Sequence, residues 1–312
     1  MPQSAIPPVS FKRFTTDFAG FTRDLGDSFA RYGFAVISDH PMDQPHIDRA
    51  IDKAKAFFAL PEAVKKKYNV PGGNGQRGYI PFGVETAKGA EHYDLKEFWH
   101  VGRDLPPGHR FTPHMPPNLW PSEIEGFQSD LTWLFERLDA MGHQVMEAIA
   151  CYLGLDRHLF DAAIADGNSI LRLLHYPPSG FDGPNVRAGA HEDINAITLL
   201  LGAEEGGLEV KDRDGRWLPI NPPPGSVVCN IGDMLQRATN HVLPSTSHRV
   251  VNPPPERRNV ARYSTPFFLH FAPDYLIKTL PGTVTADRPD RYPTPITAND
   301  FLLERLREIK LA

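Results

Sequence analysis

The stretch AHEDINAITLLL, residues 190–201, carries the most information about the fold. A histidine and two acids stand directly before a run that is apolar except for one threonine. A carboxylate beside a buried segment is costly to desolvate unless a partner holds it charged. On a strand, residues two apart point to the same face, so His191 and Asp193 should project together while Glu192 points away. The tripeptide alone also fits a solvated surface loop, so the surrounding sequence has to decide.

The sequence around this stretch is rich in short β segments from about residue 168 onward. Two alternating runs flank Asp-Gly in GLEVKDRDGRWLPI, residues 207–220, which predicts a β-hairpin. The 31 prolines among 312 residues favour many turns and loops. Short strands separated by turn signals predict a mainly β fold with flanking helices, built on a sandwich or barrel such as a jelly roll.

The first half of the chain is predicted to be mostly helical, with one short buried strand at FAVISDH, residues 34–40. PGGNGQRGYIPFG, residues 71–83, should form a glycine-rich loop. Apolar residues three and four apart predict helices over residues 17–33, 46–60, 124–154 and 299–310.

We expect three parts that pack as one structural unit. They are an N-terminal region of helices and strand (1–165), a jelly-roll core (166–275) and a C-terminal extension with a helix (276–312). No stretch between them has the composition of a flexible linker, so the helical part should pack on the core.

The overall composition excludes several classes of function. With 41% hydrophobic and 23% charged residues, the chain has the composition of a soluble globular protein. A net charge of -5 argues against nucleic acid as a partner. The sequence has no transmembrane run and no signal-peptide pattern, which predicts a cytoplasmic protein without a membrane partner. We expect a monomer or small homo-oligomer. Two distant cysteines, Cys151 and Cys229, argue against a disulfide scaffold or a cysteine–zinc site.

The pair His191 and Asp193 could occupy two adjacent positions around a metal ion. A triad of two histidines and one carboxylate needs a second histidine from another strand, and it leaves one face open for substrates and O2. His248 fits best, because it opens the β run HRVVNP in the same half of the chain. His241 has a loop context, and His270, within FFLHF, is expected to be a core or supporting imidazole.

A second pattern, ARYSTPFF (261–268), places Arg262 and Ser264 two apart on a predicted strand. A guanidinium beside a hydroxyl is a good receptor for a carboxylate, because arginine can bind it through two parallel hydrogen bonds. An arginine on a barrel face is otherwise simply solvated. Together with the three candidate ligands, the pair would suit a keto-acid cosubstrate.

Eight motifs along the chain carry a family resemblance. In the first half they are YGFAVISDHPM (32–42), RGYIPFG (77–83) and DLKEFWHVG (94–102). In the second half they are LRLLHYPP, GAHEDINAITLLL, GSVVCNIGDMLQRATN, STSHRVVNP and RYSTPFF. In order and spacing, the chain resembles the isopenicillin N synthase-like group of Fe(II)- and 2-oxoglutarate-dependent dioxygenases nearly from end to end.

This resemblance implies a double-stranded β-helix core, a distorted jelly roll, with the iron at one open end. By matching motifs, the implied catalytic metal ligands are His191, Asp193 and His248. Arg262 and Ser264 correspond to the pair that binds the distal carboxylate of 2-oxoglutarate, and Tyr176 matches a tyrosine that supports this cosubstrate.

The implied activity is oxidative decarboxylation of 2-oxoglutarate to succinate and CO2. It is coupled to the O2-dependent hydroxylation, desaturation or cyclisation of a small molecule through a ferryl intermediate. Within the same fold, the alternatives are an ethylene/succinate-forming enzyme and an isopenicillin N synthase-like oxidase that does not use 2-oxoglutarate. A non-catalytic metal-binding sensor and a zinc hydrolase are alternatives from other classes.

The substrate should approach over the open face of the iron, which the helical half and the glycine-rich loop would cover. Arg172 and Arg187 lie near the core strands, where either could meet an acidic substrate. The side chains predicted to line the substrate site are Arg77, Tyr79, Phe82, Phe98 and Phe267.

Overall fold

The computed structural model describes residues 6–73, 75–85, 93–178, 186–201 and 206–308. The α-helices of these residues are α1 (Arg13–Thr16), α2 (Phe18–Tyr32), α3 (Gln44–Phe58), α4 (Glu62–Lys65), α5 (Phe127–Tyr152), α6 (Asp161–Ile164), α7 (Asp233–Ala238) and α8 (Ala298–Glu308). Short 3-10 helices cover Lys66–Tyr68 and Pro255–Arg257. The strands are β1 (Pro8–Ser10), β2 (Phe34–Ser38), β3 (Gly78–Ile80), β4 (Glu97–Gly102), β5 (Ile170–Tyr176), β6 (Ala188–His191), β7 (Ile197–Leu201), β8 (Leu208–Lys211), β9 (Trp217–Pro219), β10 (Val227–Ile231), β11 (His248–Val250), β12 (Arg262–Leu269), β13 (Leu276–Ile277) and β14 (Ile296–Thr297).

The four helices predicted from apolar spacing are confirmed as α2, α3, α5 and α8. The ends of α2 show why its boundaries could be read from the sequence. The side chain of Asp17 accepts a hydrogen bond from the backbone N–H of Gly20, which satisfies one free donor of the first turn. Gly33 ends the helix in the left-handed conformation, at φ 69°, which other residues adopt only with strain.

Strands β3 and β4 in the first half were not predicted. Every residue of β4 is buried, including Glu97 and His100, so the strand lacks the alternation that marks a half-exposed strand. Glu97 is buried because the side chains of Lys65 and His175 hydrogen-bond it. These partners come from distant parts of the chain, so the local sequence could not indicate that a charged residue belongs to a core strand.

The strands form two main sheets. The larger has eight strands in the order β1-β2-β10-β7-β12-β5-β4-β3, and the smaller has the order β6-β11-β8-β9. Strands β13 and β14 form a separate pair. The predicted hairpin at residues 207–220 is confirmed by the antiparallel pairing of β8 with β9.

The inner faces of the two main sheets pack against each other. Phe34 and Val228 of the large sheet share one apolar cluster with Leu208 and Val210 of the small sheet. Side chains of β4 and β5 form a second cluster with β6 and β11. The result is the predicted jelly roll, a double-stranded β-helix whose interior lies between the sheets.

The outer face of the large sheet carries the helices. Ile197, Leu199 and Leu201 of β7 lie in one core with side chains of α2, α3 and α5, together with Phe267 of β12. Thr198, between them, turns to the barrel interior. The apolar run behind His191 therefore packs the barrel as expected, while alternate positions serve the site.

Strands β1 to β4 and strands β5, β7, β10 and β12 belong to the same sheet. This sheet thus contains strands from both sides of residue 165. The division of the chain at residues 165 and 275 stays a prediction. In the part of the chain that the structure describes, no helix combines the length and the apolar character needed to cross a membrane.

Candidate active site

Three predicted metal ligands converge inside the barrel. His191 is the last residue of β6, and His248, the first residue of β11, is its direct partner in the antiparallel pair. Asp193 lies two residues beyond the end of β6 rather than on the strand, which corrects the predicted geometry. Its backbone carbonyl accepts a hydrogen bond of 2.7 Å from the N–H of Asp233, at the start of α7. This contact fixes the turn that brings the carboxylate back beside His191.

The ligand atoms of the triad are close enough to share one ion. Asp193 Oδ1 lies 3.8 Å from the Nε2 atom of His191 and 3.8 Å from that of His248. One ligand atom from each of the three residues lies within 4.8 Å of the others. Among the described residues, this is the one group of three or more histidine, cysteine or acidic side chains with such spacing.

Hydrogen bonds fix the orientation of both imidazole rings. His191 Nδ1 donates to the backbone carbonyl of Gly189 at 2.7 Å, and His248 Nδ1 donates to that of Thr246 at 3.1 Å. A carbonyl oxygen only accepts, so each Nδ1 carries a proton and each Nε2 is the atom left to bind a metal. Burial and the neighbouring His248 lower the pKa of His191 to about 4. The ring is therefore neutral at physiological pH, as a metal ligand must be.

The Asp193 carboxylate is held by one of its two oxygens. Oδ2 accepts hydrogen bonds from Thr198 Oγ1 at 2.5 Å and from Asn230 Nδ2 at 2.7 Å. Burial opposes the charge, but the two imidazoles and these hydrogen bonds hold the pKa of Asp193 below its ordinary value. Oδ1 is left to face the two Nε2 atoms.

The three residues predicted to bind 2-oxoglutarate lie together on the inner face of β5 and β12. Arg262 and Tyr176 are direct partners across the two strands, and the guanidinium carbon lies 5.2 Å from the centre of the Tyr176 ring. Ser264 follows two positions along β12. All three are buried, and they line the same interior space as His191 and Asp193.

A larger cavity of about 280 Å³ opens on the other side of the triad. His191 and Asp193 contribute to its wall, and helix α8 covers it with Leu302, Arg305 and Leu306. Strands β5 and β12 contribute Arg172 and Phe268, and His270 follows directly after β12. The cavity therefore touches the candidate metal site and is large enough for a small molecule.

None of the five residues predicted to line the substrate site belongs to the wall of this cavity. Phe267 faces the helices, with its ring centre 5.1 Å from that of Phe135. Tyr79 lies in the same core and donates a hydrogen bond to Glu97. Both residues are on the outer face of the large sheet.

The other three predicted lining residues also lie outside the wall of this cavity. Phe82 is 40% exposed and packs its ring edge against Tyr93. Phe98 lies in a cluster between the sheets, and Arg77 is buried against the backbone of Gly102. Phe98 and Phe267 thus belong to the apolar core, which is where most phenylalanine side chains lie.

The neighbouring position Phe268 belongs to the cavity, and the sequence contained a signal for it. Residues two apart on a strand share a face, so Arg262 and Ser264 imply that Phe268, and not Phe267, points inward. Arg172 also lines the cavity, as one of the two arginines expected near a substrate. Arg187 is instead buried with its guanidinium donating to the carbonyl of Val260. His270 belongs to the cavity wall as well, although a core or supporting role was predicted.

A cluster of buried charges forms one side of the cavity. Lys96 Nζ lies 2.7 Å from Glu85 Oε1 and 2.8 Å from Asp94 Oδ2, and Arg172 Nη1 lies 3.1 Å from Glu85 Oε2. Burial opposes the charge of Glu85, but Arg172 and Lys96 hold its pKa well below the ordinary range. Sequence reasoning missed this cluster, because its members come from three separate segments.

Comparisons with known proteins agree with this arrangement. Residues 6–123 match the family model described as "non-haem dioxygenase in morphine synthesis N-terminal", and residues 167–271 match that of the 2OG-Fe(II) oxygenase superfamily. A 2-oxoglutarate-Fe(II) type oxidoreductase of Emericella nidulans is 31% identical, over 97% of this chain and 89% of the relative.

Two solved structures extend the likeness to three dimensions. A Caulobacter crescentus protein assigned to the 2OG-Fe(II) oxygenase family is 68% identical, covers 98% of this chain and 100% of its own, and superposes with a TM-score of 0.92. A full-length Neurospora crassa protein, solved in complex with alpha-KG and thymine, is 31% identical with a TM-score of 0.86. That match covers 97% of this chain and 96% of the Neurospora chain.

Proposed function

We propose that His191, Asp193 and His248 are the iron ligands of this chain, because the chain belongs to the 2OG-Fe(II) oxygenase superfamily. The protein is an oxidoreductase that uses Fe(II), 2-oxoglutarate and O2 to oxidise a small molecule. The single observation that supports the ligand assignment most directly is the convergence of the three side chains, within 4.8 Å of one another, in the barrel interior.

The donor set suits Fe(II). Two imidazoles and one carboxylate are the ligands of a facial triad, which leaves positions open for other molecules. Each histidine has its Nδ1 atom bound to a backbone carbonyl, and Asp193 has its Oδ2 atom bound to Thr198 and Asn230. The remaining Nε2 and Oδ1 atoms are thus directed to a common centre by hydrogen bonds that do not involve a metal.

We propose further that Arg262, Ser264 and Tyr176 bind the end of 2-oxoglutarate that does not react. When bound, Fe(II) supplies the open positions at which 2-oxoglutarate is decarboxylated to succinate and CO2 and O2 is consumed. Arg262 offers a fixed positive charge and Ser264 a hydroxyl donor to the distal carboxylate. Because both are buried, their hydrogen bonds form away from competing water.

The apolar wall of the barrel keeps water away from this reaction. Leu174, Leu200 and Val250 line the interior beside Arg262. They exclude solvent from the space between the metal ligands and the cosubstrate pair. The cavity of about 280 Å³ on the other side of the triad would then receive the substrate.

An anaerobic titration tests the ligand assignment. Fe(II) followed by 2-oxoglutarate should produce a visible metal-to-ligand charge-transfer band in the wild type. Asp193→Ala should abolish the band and lower succinate release by about 100-fold or more, since losing even a supporting residue of a metal site costs 10- to 100-fold.

Glu192→Ala is the matched control, because this neighbouring side chain is exposed and has no part in the triad. It should leave the band intact. Circular dichroism should show that Asp193→Ala remains folded. A band of normal intensity in Asp193→Ala would show that another residue ligates the iron.

We also propose that the protein works in the cytoplasm as a monomer or small homo-oligomer. Cys151 and Cys229 are both free thiols, and Cys229 is fully buried. Free thiols are typical of proteins in reducing compartments. Light scattering of the purified protein and fractionation of cells would test the two parts of this proposal; a large assembly or a periplasmic or secreted pool would contradict it.

A further inference from the structure

Strands β5 and β12 present alternate side chains to the barrel interior, and these side chains divide into two groups. At one end lie the residues assigned to 2-oxoglutarate, Tyr176, Arg262 and Ser264. Toward the other end, Arg172 and Phe268 line both this interior space and the larger cavity. The same alternation, continued one step past the end of β12, places His270 in that cavity wall.

His270 is a buried polar side chain that the fold leaves incomplete. It is 6% exposed, and its Nδ1 atom has no hydrogen-bond partner among the described residues. Burial lowers its pKa to about 4, so the ring is neutral at physiological pH. A neutral imidazole offers one donor and one acceptor. Since buried polar groups in proteins are nearly always paired, an unpaired one in a cavity wall points to a ligand.

Arg172 provides a donor on the same wall. Its Nε atom donates to His100 Nε2 at 2.6 Å, and its Nη1 atom lies 3.1 Å from Glu85 Oε2. In the part of the chain that the structure describes, Nη2 has no partner of its own. The guanidinium carbon lies 4.2 Å from the centre of the Phe98 ring and 5.3 Å from that of Phe268. These contacts fix the plane of the guanidinium, so the direction of its free edge is set before a ligand arrives.

The charge of this wall is already balanced within the protein. Lys96 and Arg172 are matched by Asp94 and Glu85 through contacts of 2.7 to 3.1 Å. A substrate carboxylate would have to compete with Glu85 for Arg172, and a substrate cation would have to compete with Lys96 for Glu85. An uncharged carbonyl oxygen can accept from Arg172 without disturbing either pair.

Phe268 adds a flat apolar surface. It is partly exposed and lines the cavity, and its ring is not stacked on another aromatic ring of the described residues. A planar ligand could stack on this face, which gains about 0.5–1.5 kcal/mol between aromatic rings in proteins. Stacking would turn the ligand edge toward the polar groups at either side.

On the basis of the oxygenase function proposed above, we propose that Phe268, Arg172 and His270 anchor the substrate and select a flat, uncharged ring with a lactam edge. The ring stacks on Phe268, its C=O accepts a hydrogen bond from Arg172, and its adjacent N–H donates to His270. The buried charge cluster excludes rings that carry a carboxylate or an ammonium group. The class named is a small nitrogen heterocycle, such as a pyrimidinone or pyridone.

Anaerobic calorimetry with the full chain tests this assignment without turnover. Uracil and 2-pyridone serve as uncharged lactam probes, and benzoate serves as the anionic probe, each titrated in the presence of Fe(II) and 2-oxoglutarate. We expect both lactams to bind, and benzoate to bind at least about tenfold more weakly because it lacks the matching edge. Tighter binding of benzoate, or no heat from either lactam at millimolar concentration, would overturn the proposal.

Variants locate the binding groups. His270→Ala should weaken uracil binding by about tenfold, and His270→Asn, which keeps a donor and an acceptor, should recover most of it. Phe268→Leu should weaken it through loss of stacking. His241→Ala, a histidine outside the cavity, is the control and should bind uracil as the wild type does. Unchanged affinity in His270→Ala would remove this residue from the substrate site.

The charge-transfer band, recorded before each titration, separates this proposal from the function on which it rests. If the band fails to form in the wild type, the iron assignment fails, while calorimetry still reports whether uracil binds. If the band forms and the lactams do not bind, only the substrate assignment fails.

Discussion

The histidines at the two ends of the barrel interior differ in whether the protein itself provides a hydrogen-bond partner for their Nδ1 atoms. At the end that holds the triad, the Nδ1 atoms of His191 and His248 are bound to backbone carbonyls, and Asp193 is bound by Thr198 and Asn230. At the end formed by the larger cavity, the Nδ1 atom of His270 is buried without a partner among the described residues. This difference agrees with the proposals that the triad holds a fixed ion and that a ligand completes the hydrogen bonding of His270.

Under the proposed function, one end of the barrel holds the iron and 2-oxoglutarate that the whole family uses, and the other end binds the substrate of this particular protein. The strands β5 and β12 supply both ends with side chains two residues apart. Arg172 and Phe268 border both spaces, yet we expect a change at Arg262, outside the larger cavity, to leave ligand binding there intact. The predictions below test that independence.

Among the changes that compare the two ends, the largest effect is expected at Arg262. Replacing it by alanine should raise the KM for 2-oxoglutarate by about 10- to 100-fold, because hydrogen bonds to charged groups contribute about 1.5–3 kcal/mol. Uracil affinity measured by calorimetry should stay within error. Arg258→Ala, in the loop before β12, is the matched control and should keep the wild-type KM. An equal loss of affinity for both ligands would mean that the two ends are not independent.

A smaller effect is expected from the residues that hold Asp193. Asn230→Ala should weaken Fe(II) binding by about tenfold, since the removal of a supporting hydrogen bond typically costs 10- to 100-fold and Thr198 remains. Thr198→Val should act in the same direction, and the double variant should lose more than either one. Competition with a fluorescent Fe(II) chelator measures the affinity.

Asn259→Ala, in an exposed loop, is the control for the loss of an amide. Wild-type Fe(II) affinity in both Asn230→Ala and Thr198→Val would show that Asp193 is oriented by the backbone of its turn alone.

The smallest effect is a pH dependence that originates at the other end. The pKa of His270 falls from 6.5 to about 4 on folding, so the unfolded chain binds a proton between these values that the folded chain does not. Its contribution to stability is therefore fully present above pH 6.5 and is lost as the pH falls toward 4. The free energy of unfolding of the metal-free protein can be measured by denaturation at about pH 7 and about pH 5.5. Its decrease between the two pH values should be roughly 1 kcal/mol smaller in His270→Asn than in the wild type.

The control is His114→Asn, at an exposed position, whose free energy of unfolding should fall between these pH values by as much as that of the wild type. A decline of the same size in His270→Asn would indicate that the buried ring at position 270 does not titrate between these pH values.

Much of the metal end could be predicted from the sequence, because its residues are close to strong local patterns. His191 and Asp193 stand directly before the apolar strand β7, and His248 opens β11. The exact placement of Asp193 beyond the strand end could not be predicted, since it depends on a backbone hydrogen bond from Asp233 in another segment.

The end at the larger cavity shows the opposite case. The aromatic residue at position 267 was expected to line the cavity, yet Phe267 packs on α5 and Phe268 faces inward. A one-residue shift on a strand exchanges the two faces. The local signal for the correct choice was that Phe268, unlike Phe267, lies an even number of residues from Arg262 and so shares its face. The charged wall of Glu85, Lys96 and Arg172 had no local signal at all.

The sequence by itself determined the class of fold, the four main helices, the predicted hairpin and the residue types of the metal site. These depend on short-range periodicity, on capping residues and on motifs whose members lie within a few positions of one another. Only the tertiary structure decided which side chains meet in the larger cavity. Those side chains come from β5, β12, α8 and the segment before β4, and burial rather than spacing brings them together.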